Sequence, residues 1–488
     1  MWIFTTSQLQ TNLKLIGLRC GIMSMGILLV LAFFSQNANA DRIYTAMQNG
    51  SKPSDTQTKE NSKGVGTIPR LDNSIKSDKR LTAHNIALDP QFCVQYDSLT
   101  KSITVTCNFA NLSHIDKMLK NPNVLKKDGQ GAWLLNANLT IANGANFIID
   151  SNDTTWLKIN STTGRDAHHI YVKGNLKIDS VKISSWNTSS NDYAKTDLKT
   201  PRASIIIQPK GTGKTDIFNS EIAYLGDGNT SRGQGLSYWS GNGSVLRNNT
   251  IHHLYYGFYS ERIGNITIEN NTVHSDIKYG LDPHTLTHDM IIRNNNVHGN
   301  GHIGIICSLD CKNITIEGNT VYNNTKAGIM LSRNVQDSIV RDNQIQGEDT
   351  GISVSESSKD VVHGNVIHNS TNGIQVKLNS SNNIIQNNSI YYSDKCGIQV
   401  SDKSSTNMII SNSILNPAKS AICLLEGPTK NAIQNNTLDA SGSYALYARN
   451  SPSKDNVVKE NELLNVTGTP IKMVNSTLTA INNTSPIR

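Results

Sequence analysis

The chain has 488 residues, 45 Lys and Arg against 38 Asp and Glu, a formal net charge of +7 and 7 cysteines. That modest positive balance suits an acidic polymer, but the dense Lys/Arg stripe with interleaved aromatics that nucleic-acid binding needs is absent, which excludes a nucleic-acid partner. Beyond the first 40 residues no stretch is long and apolar enough to span a bilayer, so the mature chain carries no membrane span.

Residues 1–40 read as a signal peptide. Lys14 and Arg19 give a positive start, Met25 to Phe34 an apolar run, and Ala38-Asn39-Ala40 a cleavage site before Asp41, which predicts an exported protein. The export context permits disulfides among Cys93, Cys107, Cys307, Cys311, Cys396 and Cys423, with the local pair Cys93 and Cys107 the first expectation. Neither close cysteine spacing completes a zinc cluster.

Residues 41–130 form an N-terminal capping region of mixed structure: a polar stretch at 51–63, a strand-like run Ile103 to Cys107, and a helix-like segment around His114 to Asn121. From residue 131 the chain turns into short β-runs, such as Leu139-Thr140-Ile141 and His169-Ile170-Tyr171-Val172, broken by Asn and Gly.

A regular repeat then sets in. Glycine followed by an apolar residue recurs at Gly235, Gly257, Gly280, Gly304, Gly328, Gly351, Gly373 and Gly397, with Ala421 and Ala445 in the same register. Asparagines at 249, 271, 295, 319, 343, 365, 388, 412, 436 and 461 keep the same step of 22 to 25 residues. Two residue types sharing one period predict an all-β, right-handed parallel β-helix over residues 131–475, with a tail at 476–488. Each copy is one coil, and ten to thirteen coils make a rod roughly 50 to 60 Å long. The apolar residues stack inward and the Asn residues occupy a repeated turn. A leucine-rich-repeat solenoid is disfavoured, because its consensus and helical return segment are missing.

This register places distant residues together. Counted from each glycine, position +2 reads Ser237, Tyr259, Asp282, Ile306 and Met330; position +4 reads Trp239, Glu261, His284, Ser308 and Ser332. If +1 faces inward, +2 and +4 share the outer face. Asp282 and His284 then lie beside Tyr259, Glu261 and Arg262 of the preceding coil, with Trp239 two coils before and Arg333 two coils beyond. Pro283 has no N–H and would interrupt a ladder at that point. An aromatic, charged groove on a rod suits an extended polysaccharide. His284 is the candidate proton-transfer group, Asp282 its orienting partner or a sugar contact, and Arg262 or Arg333 the group that neutralises a substrate carboxylate. A lone histidine is more often structural, and the pairs His284/His288 and His298/His302 have a metal-chelating spacing that converges only on a helix; no metal is expected.

The motifs Gly233-Gln234-Gly235-Leu236-Ser237-Tyr238, Leu254 to Ser260, Tyr279-Gly280-Leu281-Asp282-Pro283-His284 and Gly304 to Ser308 together resemble the periplasmic poly(β-D-mannuronate) C5-epimerases, over most of residues 130–460. The resemblance implies a β-helix, export to the periplasm, and epimerisation of mannuronate to guluronate within an anionic polysaccharide, without a cofactor and in the setting of a periplasmic synthesis and export complex. It assigns His284 as the base that removes the C5 proton and Asp282 to the same motif. Two departures stand out: Thr285 where the family motif continues with Asp, and Leu309 where the family carries an arginine facing the substrate carboxylate. Arg262 is the first substitute for that arginine and Arg333 the second. Tyr259 or a water is the reprotonating candidate, and Tyr238, Trp239, Glu261, Lys278, His302 and Lys326 complete the expected substrate contacts. The same proton abstraction followed by loss of the 4-oxygen would give a polyuronate lyase, and a non-catalytic polysaccharide-binding scaffold is the alternative that Leu309 and Thr285 favour.

Overall fold

The computed structural model describes residues 92–162, 167–195, 201–451 and 455–485. The candidate signal peptide and the polar stretch 51–63 lie outside the described residues.

The described chain is an almost purely β solenoid of about 14 turns. Its strands line up in two sheets of 16 strands and one of 14. Pairing between successive coils is parallel, as in Thr272↔Asn296, Val273↔Val297 and His274↔His298. Many strands bury alternate residues, and one continuous core of Leu, Ile, Val and Phe runs along the inside, from Ile103 to Leu463. That alternation is why the sequence reads as four- to six-residue β-runs rather than helices.

The repeated glycines are explained by close approach of one coil to the next. A Cβ on Gly280 would stand 2.6 Å from the carbonyl oxygen of Gly304, and one on Gly257 would stand 2.4 Å from that of Gly280. The asparagines form a buried ladder at the turn. The backbone N–H and the side-chain amide of Asn271 both donate to Oδ1 of Asn295, at 2.9 and 3.0 Å, and the same amide donates to the Leu246 carbonyl at 3.0 Å. Asn295, Asn319 and Asn343 repeat the pattern, so the turn's backbone groups find partners inside the protein.

The solenoid begins earlier and ends later than the repeat alone indicates. Strand Ser102–Val105 already pairs in parallel with Asn138–Ile141, and Thr479–Ile481 pairs with Val457–Lys459. At the N-terminal end an antiparallel strand, Val94–Asp97, and a helix, Leu112–Leu119 capped by Asn111, cover the first coils. Cys93 and Cys107 are disulfide-bonded, as are Cys396 and Cys423, while Cys307 and Cys311 are free and buried. Among the described residues no helix is long and apolar enough to cross a membrane.

Candidate active site

The site lies on the outer face of the sheet that holds Tyr256–Glu261, Leu281–His284, Ile303–Ser308 and Ala327–Ser332. The register sets Tyr259 beside Asp282 and Glu261 beside His284. On the other side the ladder breaks: Leu281↔Ile305 is the one pair between strand Leu281–His284 and the next coil, where the following two coils share five. Pro283, which has no N–H to give, sits at the break.

Asp282 is almost fully enclosed, at 1% exposure, although it belongs to the outer face. Tyr256, Tyr259 and Tyr279 surround it: Tyr256 stacks on Tyr279 at 5.1 Å and lies 5.9 Å from Tyr259. Burial pushes its carboxyl well above the usual carboxylate range, an effect that the Arg333 guanidinium only partly offsets. Oδ1 of Asp282 has no hydrogen-bond partner. The carboxyl is thus enclosed by tyrosine rings with one of its oxygens unpaired.

His284 is half-buried, 5.4 Å from the Tyr259 ring, and its Nδ1 lies 2.7 Å from Oγ1 of Thr285. Burial first and Arg333 second hold the imidazole below its ordinary pKa, so it is uncharged at neutral pH. With Nδ1 engaged by the threonine hydroxyl, Nε2 is left to exchange a proton. Thr285, the first departure from the family motif, is thus the hydrogen-bond partner of the histidine.

The two arginine candidates differ. Arg262 is paired with Glu261 at 3.1 Å, and Glu261 also accepts from the Tyr259 hydroxyl at 3.1 Å. Arg333 donates to Oγ of Ser308 at 3.0 Å and acts electrostatically on Asp282, His284 and Tyr279. Arg333 thus bonds a hydroxyl of the outer face and acts on Asp282 and His284 from there, while Arg262 is held by its own neighbour. Tyr259 is also a poor proton donor as placed, because burial and Glu261 push its pKa up.

Tyr238 does not reach the groove. It is fully buried in the core against Phe258 at 5.2 Å and donates to the Thr215 carbonyl at 3.1 Å. At position +3 the strand turns it inward, which corrects its expected substrate contact. Trp239 does lie on the outer face, 5.7 Å from Tyr259. Lys278, His302 and Lys326 follow one another on successive coils at the edge of this face; burial and then the two lysines hold His302 below its ordinary pKa.

Sequence reasoning missed Tyr256 and Tyr279, which precede Gly257 and Gly280 at the same register position. Tyr279 is held by a second apolar cluster outside the solenoid, built from Ile303, Ile306 and Ala327 with Met330. The available signal was the apolar residues at outer positions in the two coils after Asp282.

Fold and site together define a parallel β-helix protein with a cluster of aromatic and charged side chains on one outer face. A family model described as "Periplasmic copper-binding protein (NosD)" matches residues 159–334, 197–390 and 306–422, successive registers of the same repeat. These matches span more than half of the chain, and the chain belongs to that family. Its likeness to mannuronan C5-epimerases is shown by the relatives it finds. Mannuronan C5-epimerase AlgG of Azotobacter vinelandii is 27% identical over 314 residues, covering 61% of this chain and 58% of that protein. The Pseudomonas syringae pv. tomato mannuronan C5-epimerase is 26% identical over 222 residues, 43% of this chain and 40% of that one. The chain thus spans well under two thirds of the length of these curated relatives. A crystal structure of the periplasmic alginate epimerase AlgG superposes with a TM-score of 0.61 at 21% identity, covering 79% of this chain and 85% of that one.

Among the described residues the stacked histidines do not form a copper site. His252, His274 and His298 stack face to face, with ring planes 6° and 3° apart, so their nitrogen lone pairs run side by side instead of converging. Among the described residues no group of three or more His, Cys, Asp or Glu is placed to hold a metal ion.

Proposed function

We propose that the protein is a C5-epimerase that converts β-D-mannuronate to α-L-guluronate within an exported acidic polysaccharide. The observation that carries this reading is that Asp282 and His284 of one strand lie within the electrostatic reach of Arg333 from two coils beyond, joined to the chain's likeness to mannuronan C5-epimerases. His284, uncharged and with Nε2 free, takes the C5 proton. The electron pair left at C5 spreads into the substrate carboxylate, where the Arg333 guanidinium and the un-ionised Asp282 carboxyl meet the added charge. A proton returned from the opposite face completes the inversion. Tyr279 supplies it more readily than Tyr259, since its hydroxyl is not tied to a carboxylate and Arg333 offsets part of the effect of burial. Retention of the 4-oxygen separates this reaction from lyase elimination. Export to the periplasm and action beside a polysaccharide synthesis and export complex belong to the same proposal.

The test is proton NMR of mannuronan incubated with the protein in deuterated buffer, with absorbance of unsaturated ends followed in parallel. The expected result is conversion of mannuronate to guluronate signals, with deuterium at C5 and no new absorbance. Unsaturated ends would turn the assignment to a lyase, and polymer binding without C5 exchange would turn it to a scaffold.

A further inference from the structure

We propose that Arg232 forms a second carboxylate subsite, two coils from His284 towards the N-terminus, which grips a neighbouring uronate of the same polymer. The inference rests on reading the groove as a polyuronate site and extends it to a residue outside the repeat register. Arg232 belongs to the irregular segment between strands Glu221–Ala223 and Gly235–Tyr238. Asp227 ties that segment into shape by accepting from the backbone N–H groups of Asn229 and Thr230 at 2.8 and 2.6 Å and from the Thr230 hydroxyl at 2.9 Å. Arg232 itself has a positive φ of 64° and is exposed, and its guanidinium carbon lies 4.8 Å from the centre of the Trp239 ring.

The pairing of arginines marks it out. Among the described residues, Arg247 and Arg293 share Glu269, Arg262 pairs with Glu261, Arg341 with Glu317 and Arg449 with Glu426. Arg202 is buried and donates to the Gly226, His253 and Leu225 carbonyls. The remaining two, Arg232 and Arg333, form no ion pair with a described carboxylate, and both stand over the outer face that holds His284. An indole under a guanidinium fixes its plane while leaving the in-plane N–H donors free, which is the geometry that takes a carboxylate in two parallel hydrogen bonds. The rings of Trp239, Tyr259 and His284 follow at 5.7 and 5.4 Å, one per coil, so Arg232 lies two coil steps, roughly 10 Å, from the reacting sugar. Trp239 therefore acts as the platform that positions Arg232 and not as an open stacking face for a sugar.

The experiment measures steady-state C5 exchange and calorimetric binding for mannuronate oligomers from trimer to decamer, with wild type, Arg232→Gln, Trp239→Phe and Trp239→Ser. Wild-type KM is expected to fall with length to a plateau. Arg232→Gln raises the decamer KM about tenfold, with kcat within twofold and an unchanged melting temperature, and leaves the trimer KM as it was. Trp239→Phe keeps the platform and the low KM, whereas Trp239→Ser reproduces Arg232→Gln. Equal KM values for wild type and Arg232→Gln at every length, in an active protein, would overturn the subsite and leave the epimerase reading in place. So would a loss confined to kcat. A wild type that neither binds nor exchanges any oligomer would remove the epimerase reading and this inference with it.

Discussion

His284 works with a neutral partner. The Thr285 hydroxyl fixes its ring at 2.7 Å without adding the negative charge that would raise its pKa, and burial and Arg333 both lower it. A lowered imidazole pKa means that the base form persists on the acid side of the usual histidine range, so kcat/KM should stay flat through neutrality and fall only below about pH 6.5. Thr285→Asp supplies the missing carboxylate and should move that acid limb upward by about one unit, read from the pH profile of C5 exchange; an unmoved limb would show that another group sets it. Arg333→Gln should lower kcat about a hundredfold, since the carboxylate loses its charge-stabilising donor, while Arg262→Gln should cost only a few-fold because that guanidinium already serves Glu261. Single-turnover exchange with the two variants ranks them directly. The pairings that decide this ranking are invisible in the chain, where Arg262 is the nearer neighbour of His284 by register.

Two turn columns carry aspartates in asparagine slots. Asp360 accepts from the Ser338 N–H at 2.9 Å and donates its own N–H to Oδ1 of Asn383 at 3.0 Å, as a ladder asparagine would. Its Oδ2 is unpartnered where the asparagines place an amide NH2, and Asp276 repeats the arrangement beside Asn300. Burial raises both carboxyls well above their ordinary range, and the protonated form restores a donor. A carboxyl with a raised folded pKa contributes stability that is full at acid pH and is lost as pH rises through the folded value. Asp360→Asn should therefore stabilise by about 1–2 kcal/mol in mildly alkaline buffer and by progressively less as the pH falls, measured by denaturant titration. The repeat itself announces these columns, because period and residue type are both written in the chain. The unpaired oxygen of Asp360 is not, since it depends on which atom faces the next coil.

For the molecule as a whole, opposing titrations bound the stable range. Burial holds His169 at a pKa of about 4, and burial together with the neighbouring imidazoles His252, His298 and His253 does the same for His274. A histidine with a depressed folded pKa takes up its proton more readily when unfolded, so stability is lost as pH drops from 6.5 towards 4. Glu348, raised to about 7 mainly by burial, acts in the other direction, with Asp276 and Asp360. Thermal melts across this range should show a maximum just below neutrality, and His169→Gln should flatten the acid side; an acid limb that this variant leaves unchanged would assign the loss to other groups. Period, residue type and strand alternation determined the parallel β-helix, the outward column of position +4 and the neighbourhood of Asp282 and His284, because stacking identical coils turns a sequence interval into a fixed spatial step. Only the tertiary structure decided that Tyr238 faces the core, that Arg262 pairs with Glu261 while Arg333 bonds Ser308, and that Arg232 stands over the Trp239 ring from outside the register. Side-chain partners and irregular segments obey no period, and their placement is set by the atoms that surround them after the coils have stacked.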